Sequence, residues 1–289
     1  MPCLFIFGLG YVGQHLGRAL LAEGWRVVGT TRTENQAQRL KEQGFEVVVW
    51  DGIGLFPQEV LKGVSHLLVT IPPDEGGDMV LRHLDFTTLS FQWIGYLSAT
   101  SVYGDHQGAW VREDAALKPI SFRGRQRLFS ETQWRERLTQ HPLFPIHIFR
   151  LSGIYGPGRS VLESIRAGSA QRIDKPGHVF SRIHVEDIVG TLKASISHPQ
   201  PGEIYNLADD APAATADVIA FGCELLGMEV PPLILFEEAT LSESLREFYA
   251  EHKRVDNHKI KEYLGVRLTY PTYREGLRTC LHRFLGSSL

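Results

Sequence analysis

Cysteine is scarce in this chain, with three among 289 residues, at 3, 223 and 280. An odd number of cysteines, far apart and in apolar contexts, excludes a disulfide frame and reads as buried thiols in a reducing compartment. Excess charge of either sign is also missing. A formal net charge of −3 and a pI near 6.5 leave no electrostatic footprint for nucleic acid or a membrane surface. No apolar run approaches membrane-spanning length, and the first strand begins at once, so a signal peptide is not expected and a cytoplasmic location is. The 12 histidines form no H-x-x-x-H or Cys/His cluster with ligand spacing, so no metal site is expected. Internal repeats and low-complexity segments are absent, which excludes solenoids.

What is present begins five residues in. The apolar run Cys3 to Phe7 gives way to Gly8-Leu9-Gly10-Tyr11-Val12-Gly13, and a helical apolar pattern follows through Leu16, Ala19, Leu20 and Leu21 to Gly24. Strand, G-x-G-x-x-G turn and helix in that order predict a dinucleotide site. Gly8 permits the tight turn, Gly10 leaves room for a diphosphate, and Gly13 lets the helix pack close to the strand. The helix N-terminus then offers free N–H groups and partial positive charge to the anion. Tyr11 and Val12, which open that helix, belong to the expected cofactor set. The plain alternative is a glycine-rich turn that binds nothing.

With 43% hydrophobic residues the chain can bury one large core, or one core and a smaller lobe. Strands and helices alternate from there, predicting an α/β, Rossmann-type doubly wound parallel sheet. Strands are expected at 25–30, 45–49, 67–71, 94–97 and 146–150. Helices are expected at 33–43, 79–91 and 121–138, with caps at Thr215 and Thr272 for two later ones. Ile71 and Pro72, where the fourth strand stops, join the cofactor set, as does Ser98 after the fifth.

The end of the second strand bears on which nucleotide is bound. An NAD-type site would place a carboxylate about 20 residues beyond the glycines. Here the chain reads Thr30-Thr31-Arg32, with no acid before Glu34. A hydroxyl residue followed by Arg suits a 2′-phosphate, so NADP is favoured over NAD. An arginine opening a surface helix can equally be merely solvated. Asp51, after the third strand, is a candidate acceptor for the adenine amino group, or an ordinary turn residue.

A second informative stretch is Ser98-Ala99-Thr100-Ser101-Val102-Tyr103-Gly104, after the fifth strand, at the sheet edge where open α/β folds bind ligands. It resembles the extended short-chain dehydrogenase/reductases of the NAD-dependent epimerase/dehydratase kind. The resemblance continues in Arg150-Leu-Ser-Gly-Ile-Tyr155-Gly156-Pro157-Gly158, in Ile183-His184-Val185-Glu186-Asp187, and in Ile204-Tyr205-Asn206-Leu207. Asn257 to Gly265 and Glu275-Gly276-Leu277 carry it to the C-terminal end. It implies a Rossmann domain of residues 1–150 plus 183–207 and a substrate lobe of 151–182 plus 208–289. It also implies a sugar-nucleotide or similar small hydroxyl or carbonyl substrate, and a homodimer paired through helices 79–91 and 121–138.

The departures from that pattern are specific. The family's catalytic Ser/Thr position falls on Ala99, and its Tyr and Lys of Y-x-x-x-K fall on Arg123 and Arg127. Arginine stays protonated and cannot take tyrosine's acid–base part. Gly153 stands where the family has Asn. Candidate catalytic residues are therefore Thr100, Tyr103, Ser98 and Arg123, each of which has an ordinary structural use as well. Two readings stand: an NAD(P)-dependent epimerase, dehydratase or reductase with a non-standard site, or a non-catalytic dinucleotide-binding redox sensor or partner-binding module.

Overall fold

Apolar runs with no polar alternation need cover on both faces, as central strands of a parallel sheet receive. The computed structural model describes residues 1–286, excluding the side chains of Ser244 and 283–286, and its strand β1 (Cys3–Phe7) is buried at all five positions. β2 (Arg26–Thr31), β3 (Glu46–Val49), β4 (His66–Val69), β5 (Trp93–Ala99), β6 (Ile146–Leu151) and β7 (Ile204–Leu207) complete a seven-stranded sheet. Its order is β7-β6-β5-β4-β1-β2-β3. β1 pairs in parallel with both β2 and β4, β2 with β3, and β4 with β5. The order reverses between β1 and β4, and such a switch point opens a crevice at the carboxyl ends of the strands. The expected Rossmann-type α/β fold is the one found.

The described residues divide into two compact units: 1–99, 125–150 and 189–205 in one, and 100–124, 151–188 and 206–286 in the other. The first is built on an aromatic core. Phe5, Phe7, Trp50 and Phe56 meet with ring centroids 4.9–5.7 Å apart, and Trp93, Trp134 and Tyr96 are fully buried. In the second, Leu162, Val218, Phe221, Tyr273, Leu277 and Cys280 pack around Tyr155. All three cysteines are buried. Among the described residues no helix is long and apolar enough to cross a membrane.

Helix α1 (Tyr11–Ala22) follows β1, and α2 (Glu34–Glu42) starts at Thr33, whose hydroxyl accepts from the Gln36 N–H. α3 is only Met79–His83, not the expected 79–91. Leu84 adopts an extended backbone, and Asp85 ties the chain into a turn by accepting from the Thr87 N–H and hydroxyl at 2.9 and 2.6 Å. Leu84, Leu89 and Phe91 still reach the core, but from irregular chain, which is why their spacing imitates a helix. α4 (Phe122–Gln140) is slightly longer than expected, with the Ser121 hydroxyl accepting from the Gly124 N–H at its start. Thr272 caps the last helix as expected, by accepting from the Arg274 N–H. Thr215 does not cap: it is the first residue of its helix, behind Ala214, and its hydroxyl accepts instead from the Arg182 guanidinium at 3.1 Å.

Candidate functional site

At the switch point the chain leaves β1 through Gly8, whose φ of +97° lies in the region that only glycine enters cheaply. A Cβ here would meet the Thr70 hydroxyl at 2.6 Å and Ile71 at 2.8 Å. The Gly8 N–H donates to the Thr30 hydroxyl, and the Thr70 hydroxyl donates to the Gly8 carbonyl at 2.6 Å, so β2 and β4 clamp the turn from both sides. A Cβ on Gly13 would lie 2.7 Å from the Gly8 carbonyl oxygen, so α1 can close onto β1 only with glycine there. Gly10 is different: nothing lies within 4 Å of where its Cβ would be. It is the N-cap of α1, and no side chain caps that helix end. The turn therefore presents open space in front of uncapped N–H groups, which is what an incoming diphosphate requires.

The space continues as a cavity of about 350 Å³. Gly8, Gly10, Thr31, Arg32, Asp51, Ile71 and Pro72 from the expected cofactor set all line it. Thr30, from the stretch read for the 2′-phosphate, lines it as well, and Leu9, Gln36, Trp50, Gly52, Thr70 and Met79 line it too and were not anticipated. Gln36 carried a readable signal, because four residues beyond Arg32 near the start of a helix returns to the same side. Tyr11, Val12 and Gly13 open α1 behind the turn, with Val12 and Gly13 buried, and neither they nor Ser98 are among the lining residues. The N–H of Ile53, donated to Asp51 at 2.9 Å, holds that exposed carboxyl below its usual range, so it stays an acceptor. The residues present fit a dinucleotide: a cradle that a side chain would fill at Gly8, clear space at Gly10, and an arginine at the far end of β2.

The hydroxyl-rich end of β5 behaves less uniformly. β5 runs through Ala99, two residues past the expected end, and carries Ser98 into the interior. Ser98 is 3% exposed and donates to Glu131 at 2.5 Å. Glu131 also takes Nε and Nη2 of Arg150 at 2.8–3.2 Å, and both members of this ion pair are 1% exposed. This buried triad was missed from the sequence, although Arg150 sits in the mostly apolar, fully buried run Ile146 to Leu151 and such a guanidinium demands a carboxylate. Arg127 turns its guanidinium back onto β5, donating to the Leu97 carbonyl at 2.6 Å and to the Tyr96 hydroxyl at 3.3 Å. Burial pushes the Tyr96 phenol up to about 12, so it remains protonated.

Thr100 to Tyr103 form one 3-10 turn. Tyr103 is fully buried and its hydroxyl donates to Asn206 Oδ1 at 2.7 Å, while Asn206 donates its own N–H to Glu113. Thr100 is half-exposed. Arg123 is exposed and lines a cavity of about 400 Å³ with Ser101, Ser121, Glu243, Glu247 and Glu251. The four residues named as catalytic candidates thus sit in different settings: two buried and bonded, two accessible.

A glycine turn at the switch point of a seven-stranded parallel sheet, opening on a cavity that fits a dinucleotide, defines an α/β protein with the Rossmann-like fold of the epimerase/dehydratase enzymes. The fold is shared with UDP-glucuronic acid 4-epimerase from Bacillus cereus, solved with UDP-glucuronic acid and NAD. The TM-score is 0.80 at 17% identity, covering 99% of this chain and 100% of the other. No family model matches the chain. Protein YeeZ of Escherichia coli K12 is 28% identical over 94% of this chain and 97% of its own length. The chain belongs to the family of a functionally unknown conserved protein from Silicibacter pomeroyi DSS. That structure is 47% identical with a TM-score of 0.89, over 98% of this chain and 99% of the other.

Proposed function

We propose that this protein binds NADP and uses it in an epimerase-, dehydratase- or reductase-type reaction on a sugar nucleotide or similar small hydroxyl or carbonyl compound in the cytoplasm. The observation that carries the reading is the shared cavity of Gly8 and Gly10 with Thr31, Arg32 and Gln36. An exposed guanidinium and a carboxamide beside the hydroxyl of Thr31 supply donors for a 2′-phosphate, and the lining holds no carboxylate at the end of β2 to repel it. Solved structures of the same fold hold NAD, and some hold UDP-sugars. The bound nicotinamide would supply hydride transfer. Of this chain's own groups, Thr100 and Arg123 are the accessible ones. Thr100 would hold or pass a proton, and Arg123 would orient an anionic group of the substrate. We place Arg123 and Arg127 at the positions of the missing tyrosine and lysine, and we assign a homodimer joined through α4, where Phe122 and Phe129 are about half exposed.

One observation favours the second reading, a dinucleotide-binding protein without chemistry. Ser98 and Tyr103, the buried hydroxyls nearest in sequence to the family's catalytic position, are both committed to protein acceptors. One pair of experiments separates the two. Trp50 lines the cavity, so quenching of tryptophan emission reports binding of NADPH and NADH. Incubation with NADPH and a panel of sugar nucleotides and small carbonyl compounds then reports turnover. Tight NADPH binding with turnover supports the enzyme, and binding without turnover across the panel supports the sensor. Failure to bind either nucleotide overturns both.

A further inference from the structure

Arg274 and Arg278 lie four residues apart on the last helix, Tyr273–Gly286, and so share one of its faces. Neither is well placed electrostatically on that helix alone. Like charges four apart repel, and Arg274 stands in the first turn, where the helix end is itself partly positive. Both guanidiniums nevertheless sit over one ring, Phe221 of the helix Thr215–Leu226, at 4.8 and 5.4 Å from its centroid. Arg274 is also 5.1 Å from the centroid of Tyr273, whose ring meets Phe221 edge-on at 83°. The two rings are 6% and 5% exposed and belong to the core of the second unit, whereas the arginines over them are exposed. Among the described residues neither guanidinium hydrogen-bonds or forms an ion pair with a carboxylate. Glu275, the nearest acid in sequence, caps the helix instead. It accepts from the Thr272 hydroxyl and from the Thr272 N–H, which hold its carboxyl below the usual range, with the charge of Arg278 a lesser cause. Asp217 and Glu224, the acids on either side of Phe221 in its helix, pair with neither arginine among the described residues.

We propose that Arg274 and Arg278 form a clamp for a phosphomonoester dianion carried by a small molecule. A guanidinium over a ring spends its face on the π-cloud and keeps its planar edge of N–H donors for acceptors. Packing on the ring also restricts the side chain before a ligand arrives, which lowers the ordering cost of binding. The kind of anion follows from the number of forks. A carboxylate offers two oxygens and fills one fork, whereas a phosphomonoester has three terminal oxygens and can accept from both. A dianion held between the arginines would also relieve the repulsion at the start of the helix. The clamp lies within the second unit and shares no residue with the dinucleotide cavity, so it does not depend on the cofactor reading. Two consequences set it apart from general attraction to positive charge. Lysine at both positions keeps the charges and loses the forks, so it should not substitute. A monocarboxylate, with one fork's worth of oxygens, should bind more weakly than the phosphomonoester.

Calorimetry on the full chain with glycerol 2-phosphate tests this at fixed ionic strength and pH 8, well above the second phosphate pKa of about 6. The double variant Arg274→Lys with Arg278→Lys serves as the reference, so that phosphate bound elsewhere is subtracted. The wild type should show one site that the reference lacks. Arg274→Gln and Arg278→Gln should each weaken that site by about tenfold, the value of a charge-assisted hydrogen bond. Both positions are exposed, so all of these variants should fold like the parent. Acetate should bind about tenfold more weakly than glycerol 2-phosphate. A lysine double variant that binds like the wild type would overturn the proposal. So would unchanged affinity in either glutamine variant, or acetate binding as tightly as the phosphomonoester.

Discussion

Replacing Glu131 by Leu would leave the Arg150 guanidinium buried without its carboxylate and deprive the Ser98 hydroxyl of its acceptor. Both members of the pair are 1% exposed, so water cannot take the place of the lost partner. Breaking a buried ion pair from one side typically costs about 3–5 kcal/mol, and a stranded hydroxyl adds about 1 kcal/mol. For a chain of this length that corresponds to a fall in Tm of about 10 °C. The partner experiment is Glu131→Leu with Arg150→Met. Apolar replacement of a whole buried pair is often neutral, so the double variant should recover at least half of the loss. Calorimetric melting, checked against urea unfolding monitored by tryptophan emission, gives both numbers. A single variant that loses less than about 1 kcal/mol, the usual value for exposed pairs, would refute the reasoning. So would a double variant no more stable than the single one.

Gly10→Val should fold normally, since a Cβ there meets nothing within 4 Å, yet lose dinucleotide binding measured by calorimetry. Wild-type protein should bind NADPH more tightly than NADH, and Arg32→Ala should narrow the gap by about tenfold at fixed salt. Stability should fall on acidification. Burial lowers His66, His147 and His178 to about 4, so each folded imidazole resists a proton that the unfolded chain accepts from about pH 6.5 downward. Each histidine can withdraw up to about 3 kcal/mol between pH 6.5 and 4. Asp209, raised to about 7, acts in the opposite direction over the same interval, as do Asp78, Glu113 and Asp187, which burial also raises, and together they offset part of the loss. Denaturant midpoints that do not fall between pH 7 and 4.5 would contradict this. Light scattering at micromolar concentration should give a dimer mass, and Phe129→Arg should lower it to that of a monomer; a monomeric wild type rules the dimer out.

The sheet was legible because its strands are short apolar runs bounded by glycine and because the glycine turn has a fixed chemical purpose. The cavity at the switch point was legible for the same reason: Gly8, Gly10, Thr31, Arg32 and Asp51 line it through local backbone geometry and position at strand ends. What stayed hidden depends on long-range partners. The periodicity of Leu81, Leu84 and Leu89 suggested a helix that the Asp85 turn interrupts, because local hydrogen bonds from a carboxylate compete with a weak helix. Thr215 looked like a cap, but Arg182, far away in sequence, engages its hydroxyl. Ser98 looked available until Glu131 and Arg150 came together around it.

The uncapped start of α1 has a consequence for how long the molecule survives. Helix ends without a cap fray, and here the fraying turn joins β1, in the middle of the sheet, to the helix packed on it. A bound diphosphate would act as the missing cap, so ligand and fold would share one equilibrium. Nucleotide at a hundred times its Kd would add about 2.7 kcal/mol to the unfolding free energy. Proteases that sample the opened turn would then degrade the empty protein faster than the loaded one. Amide exchange at Tyr11, Val12 and Gly13 should slow first on titration with NADPH. The abundance of this protein would then follow the cell's supply of its own nucleotide.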